Sequence, residues 1–216
     1  MGRCGFTLLE LLVSVAIIAV MISLLLPALA GARTSAKVVR VHADLRQIDH
    51  ALIMYAMDWR GALPPSRASC ATQTEYPLPV ELAQRGYLLR GQTTAGGLVE
   101  HVNLIDVFSP DGDVYHFRAP GPLWLNETSF FAEGAKLWAP DDFPRGESSG
   151  GQYYNDPFEC PARYATWSVG PEPEAAKLLI NPGRGPMLRR LWYTGLSDPG
   201  WITHFQDQRE RIYTSP

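Results

Sequence analysis

The chain has no surplus of basic charge: 19 Lys and Arg stand against 22 Asp and Glu, for a formal net charge of −3 over 216 residues. Without a positive field, nucleic acid is not expected as a partner. The compact motifs of catalysis are missing as well. No G-x-S-x-G elbow, H-E-x-x-H pair or phosphate loop occurs. The five histidines (His42, His50, His101, His116 and His204) keep no metal-ligand spacing, and His42 and His50 are too far apart for an i, i+4 pair. They read as surface or packing residues, and the chain reads as a non-enzyme. Asp111 and Asp113 read as turn formers rather than ligands.

Cysteine is scarce, with only Cys4, Cys70 and Cys160. If the first residues are removed, Cys70 and Cys160 remain. An exported domain could close them as one disulfide, or they are two separate buried thiols. Spacing alone does not bring their Cα atoms together.

Charge is also absent from most of the first stretch. Between Phe6 and Ala32 the only ionisable side chain is Glu10. This run is longer than the roughly 20 apolar residues that cross a bilayer. A charge at the centre of such a helix costs about 2.5–3.5 kcal/mol on insertion scales, and less near its end. Three readings compete. A secretory signal peptide would use Ala28-Leu29-Ala30 as its cleavage tripeptide, but the run is too long and Glu10 interrupts its start. A plain anchor fits the length and leaves Glu10 unexplained.

The third reading is a resemblance. Gly5-Phe6-Thr7-Leu8-Leu9-Glu10-Leu11-Leu12-Val13 resembles the cleavage and methylation signature of type IV prepilins and type II secretion pseudopilins. The resemblance implies that a prepilin peptidase cuts after Gly5 and that the new amino-terminal Phe6 is methylated. It also implies that Glu10 serves assembly and that Pro27 is the helix-loosening proline of such chains. A proline there removes one ladder bond. The expected partners are other copies or related subunits of a filament, the peptidase, the inner-membrane assembly platform and the membrane itself. The expected setting is the bacterial inner membrane, single-pass, with the head in the periplasm. Arg33, Lys37 and Arg40 after the run, against Arg3 before it, weakly favour the opposite orientation by the positive-inside rule. The motif outweighs them.

Beyond Ala32 the pattern changes without a break. Val38, Val41, Leu45, Ile48, Leu52, Tyr55 and Trp59 recur at steps of three and four, an apolar stripe on one helical face. Arg40, Asp44, Arg46, Gln47, Asp49 and His50 fill much of the remainder. Asp58-Trp59-Arg60-Gly61 followed by Pro64-Pro65 predicts the helix stop. The stretch from Asp44 to Pro64 is similar to the major pseudopilin pattern and favours the pseudopilus over the pilus.

The 19 glycines and 18 prolines gather after residue 60 and predict a loop-rich, β-leaning head. Residues 104–108 and 114–118 flank Ser109-Pro110-Asp111-Gly112-Asp113 as a hairpin. Tyr115, Phe117, Pro120 and Gly121 match the second half of the pseudopilin turn pattern, and its tryptophan is missing. Thr166-Trp167-Ser168-Val169-Gly170 resembles the family's closing strand. The family's calcium loop would follow, with Glu172 and Glu174 as candidate ligands where aspartates are usual and with Leu178-Leu179-Ile180 in place of a polar run. No other cofactor is expected.

The expected fold is α+β, a long amino-terminal helix packed on a small antiparallel sheet. The expected divisions are a leader (1–5), a membrane and assembly helix (6–32), its amphipathic continuation (33–61) and a head (62–216). The head carries an insert at about 122–163, with a mobile loop from Gly146 to Gly151. The tail from Ile180 to Pro216 has no family counterpart. The functional expectation is a structural subunit of a secretion pseudopilus or type IV pilus-like filament. The alternative is a membrane-tethered or secreted periplasmic binding or catalytic domain.

Overall fold

A computed structural model describes residues 8–68, 76–91, 102–174, 186–195 and 199–216. One helix, α1 (Leu8–Asp58), dominates it and runs unbroken through Pro27. Its second half buries Val41, Leu45, Ile48, Leu52 and Tyr55, which are the stripe positions. Trp59 lies past the helix end, half-exposed, stacked on Tyr55 and covered by the Arg85 guanidinium. The stop is a glycine closure. Gly61, at φ +88°, donates its N–H to the Ala56 carbonyl at 2.8 Å. A left-handed backbone there favours a residue without Cβ.

Among the described residues the head holds nine strands, one short α-helix and a 3-10 turn at Arg189–Leu191: β1 (Ser66–Ala68), α2 (Glu81–Gln84), β2 (His116–Arg118), β3 (Gly121–Leu125), β4 (Ser129–Ala135), β5 (Leu137–Pro140), β6 (Gly151–Tyr154), β7 (Ala162–Ser168), β8 (Ile202–Asp207) and β9 (Ile212–Thr214). The central sheet is antiparallel in the order β2-β7-β8-β9. β1, β3 and β4 form a second sheet, with β1 parallel to β3, and β5 and β6 form a two-stranded ribbon. The fold is α+β, a long helix on a largely antiparallel head.

Strand alternation explains why the central sheet is buried on both faces. Tyr164 and Ile202 face α1 in one core, together with Tyr115 and Phe117. Ala165, Trp167 and Phe205 point the other way into a second core with Leu137, Ala139, Met187 and Trp192. The segment after Gly121 therefore supplies the cover for the far face of the sheet. Without it Phe205 would lose Phe143, and the second core would lose Leu137 and Ala139. The tail contributes β8 and β9, and β8 pairs with β7 from Ser168 to Ala162.

The expected hairpin is present in reduced form. Ile105 and Val114 make a single bridge, and Asp106 N–H donates to the Asp113 carbonyl at 2.9 Å. Ser109 donates to Asp113 at its tip. The main partner of β2 is β7 instead. The expected mobile loop is tied at several points: Gly146 carbonyl accepts from Arg189 N–H at 2.8 Å, and Glu147 pairs with Arg189 at 2.9 Å.

Candidate functional site

The amino-terminal half of α1 stands clear of the head. Leu8, Leu9, Leu12, Val20, Leu24, Leu25 and Leu29 are all exposed. An amphipathic surface helix would keep one polar face, and this half has none. A helix that is apolar all round is stable only in an apolar medium. Its hydroxyls are satisfied within the helix. Ser14 donates to the Glu10 and Leu11 carbonyls, Ser23 to Val20 at 2.7 Å and Thr34 to Ala30 at 3.3 Å. Such back-bonding lets a hydroxyl sit in lipid without an orphaned donor.

Glu10 lies in the first turn of α1, on an exposed surface. A carboxylate there faces the positive end of the helix dipole. Gly5 and Phe6 lie outside the described residues. Pro27 sits inside the helix and withholds the N–H that Ser23 carbonyl would otherwise accept.

Where α1 meets the sheet, the interface is polar at its centre. Asp49, which the sequence placed on the polar face, is 1 % exposed. It accepts from the Tyr164 hydroxyl at 3.1 Å and lies 2.8 Å from His204 Nδ1. His204 Nε2 lies 3.2 Å from His42 Nδ1. With the carboxylate fixing an N–H at His204 Nδ1, Nε2 is left to accept from His42. The ring centres are 5.5 Å apart, which is about the N···N distance plus one ring radius on each side. The nitrogens thus lie near the line of centres, the geometry of a hydrogen bond rather than of two donors converging on a cation. Among the described residues no group of three His, Cys, Asp or Glu is placed to hold a metal ion. Burial and the neighbouring His204 and Arg46 hold His42 below the usual imidazole range.

Three further bonds lie at or beside the joint. Tyr115 donates to Asp44 at 2.8 Å. Buried Asp106 accepts from Ser168 Oγ at 2.8 Å and from Val169 N–H at 2.9 Å, which caps the end of β7. Burial pushes the Asp106 carboxyl up despite these bonds. Sequence reasoning missed this cluster. One signal was available: Asp49 is four residues after Leu45 and three before Leu52, in register with the buried stripe.

A cavity of about 580 Å³ opens beside β1 and β2, lined by Arg67, Leu78, Val102, Val114 and His116 among others. Arg67 is held by Glu81 at 2.6 Å and by Glu127. His116 stacks on Trp167, and burial depresses it to about 4. An imidazole that reluctant to take a proton is a poor general base near neutrality.

Glu172 and Glu174 are both exposed at the edge of the described head. Cys160 is a free thiol, fully buried and pushed up to about 12 by burial. Cys70 lies outside the described residues, as does His101.

Residues 1–26 match the family model of the prokaryotic N-terminal methylation motif. No curated protein and no solved structure matches the chain.

Proposed function

We propose that this chain, prepilin-type at its amino terminus by the methylation motif over residues 1–26, is a structural subunit of a membrane-assembled filament of the type IV pilus and secretion pseudopilus kind. A prepilin peptidase cuts after Gly5, and Phe6 becomes the methylated amino terminus. Residues 6–32 anchor the subunit in the inner membrane as a single span, with the head in the periplasm. On assembly the exposed apolar half of α1 packs against copies of itself. The Phe6 amine of an incoming subunit meets Glu10 of its neighbour, so that each charge is paired in low dielectric. That pairing sets the stagger between subunits.

The observation that carries this reading is the motif followed directly by an exposed, all-round apolar helix. That helix runs without interruption into a segment docked on a head. The pattern from Asp44 to Pro64 favours a secretion pseudopilus over a pilus. A calcium ion on Glu172 and Glu174 is a further part of the proposal. Calorimetric titration tests it, and no heat with no thermal shift ends the idea.

Intact mass of the mature protein from its host membrane tests the main reading. Loss of Met1–Gly5 with gain of one methyl group is the expected result. A new terminus at Gly31 overturns it and favours an ordinary signal peptide ahead of a secreted domain.

A further inference from the structure

Immediately beyond the apolar run, α1 carries a stripe of one sign. Arg33, Lys37 and Arg40 fall at i, i+4 and i+7 and are all exposed. This spacing puts them on one face. No acidic residue lies between Glu10 and Asp44. The one carboxylate near the stripe on α1 is therefore Asp44, 3.6 Å from Arg40, whose side chain stays 67 % exposed. Lys37 lies over the Phe108 ring at 5.4 Å, and neither Arg33 nor Lys37 forms an ion pair among the described residues. The face committed to the head, through Val41 and Leu45, lies beside this stripe on the helix.

The distances suit a lipid surface. From Leu11 to Ala32 the helix is uncharged over roughly 22 residues, about 33 Å, close to the ~30 Å hydrocarbon thickness. Arg33 then falls at the hydrocarbon boundary. Lys37 stands about 6 Å further along the axis and Arg40 about 10 Å. The headgroup layer is roughly 5–8 Å deep on each side. Helical side chains lean toward the amino terminus, which here is toward the membrane. All three cations are thus within reach of the phosphates below them.

We propose that Arg33, Lys37 and Arg40 form a docking stripe for anionic phospholipid headgroups of the leaflet on the head side. This accounts for a basic cluster on the side where the positive-inside rule does not place one. The cations hold acidic lipid around the exit point of the helix, and so fix its depth and the height of the head above the surface. The inference rests on the reading of the apolar run as a membrane span, and it is independent of processing and polymerisation.

The test uses the full chain reconstituted in phosphatidylcholine bilayers containing a minor fraction of phosphatidylglycerol. Spin-labelled versions of each lipid report their relative association with the protein. Phosphatidylglycerol is expected to be preferred on the order of tenfold at low salt, with the preference falling at high salt. The combined Arg33→Gln, Lys37→Gln, Arg40→Gln variant should bring it close to parity. Parity in the wild-type chain, or an unchanged preference in the variant, overturns the proposal. Should the variant fail to insert, the wild-type salt series decides, and a preference indifferent to salt sinks it. A chain that never enters the bilayer removes the span, whereas an inserted chain with no lipid preference removes only this inference.

Discussion

Glu10 belongs to the bilayer end of the molecule, and its substitution should separate insertion from assembly. Glu10→Val removes the only charge between Phe6 and Ala32, so insertion should be unimpaired or easier. Assembly should fail, because a neighbour's Phe6 amine would then be buried without a counter-charge. Membrane fractionation with filament imaging checks both halves, and normal filaments from the variant would end the pairing role.

In the head, the residue-scale prediction concerns acid. His116 is depressed to about 4 and His42 is also lowered, both through burial first. An unfolded chain takes up these protons near pH 6.5, before the folded one does, so stability falls as pH drops through the window from about 6.5 to 4. His116 alone is worth roughly 3 kcal/mol across it. Asp106, whose carboxyl is raised by burial, works in the opposite sense, because the folded state takes its proton first. His116→Phe keeps the stack on Trp167 and removes the titration. Melting in detergent from pH 7.5 to 4.5 should show a shallower loss for this variant, and parallel curves would refute the assignment.

At the scale of elements, the joint between α1 and the central sheet is the feature with the most at stake. Asp49 satisfies Tyr164 and lies against His204, both buried. Asp49→Ala should therefore destabilise the head by roughly 2–4 kcal/mol, since two buried donors lose their acceptor. Asp44→Ala should cost about 1 kcal/mol, because Asp44 is itself partly exposed and water can take its place at the Tyr115 hydroxyl. Denaturant unfolding of the two variants gives the comparison. Equal losses would mean that the buried cluster carries no special weight.

The same joint shows what was legible in the sequence. The α1 stripe could be read because periodicity records burial directly, and the methylation signature could be read because it is contiguous. For Asp49 the stripe spacing was the one sign of burial, and its partners were not legible. Its environment depends on Tyr164 and His204, more than a hundred residues away, and an acid within a helix usually faces water. The closing strand at Thr166–Ser168 was visible from its motif. β8 was not, because Ile202–Asp207 has only Ile202 and Phe205 as apolar residues, three apart among Thr, His, Gln and Asp, and so shows no strand alternation. All six of its residues are buried, since α1 covers one face of it and the segment after Gly121 covers the other.

At the scale of the whole molecule, this two-sided burial makes the tail a structural necessity. Removing residues 196–216 would take away β8 and β9. β7 would lose the partner it pairs with from Ser168 to Ala162, and α1 would lose the His204 contact to Asp49. Phe205, which ties Trp192 to Phe143 and Tyr213 in the second core, would go as well. The free edge left on β7 would offer unpaired backbone to other chains. The truncated chain should still insert through residues 6–32, yet its head should be degraded or aggregate. Phe158→Ser, at a side chain 92 % exposed, should shift stability by less than about 0.5 kcal/mol. Limited proteolysis of the membrane-inserted proteins distinguishes the cases. A protease-resistant head in the truncated chain would show that α1 and the segment after Gly121 suffice to form the core, and would make the tail an accessory after all.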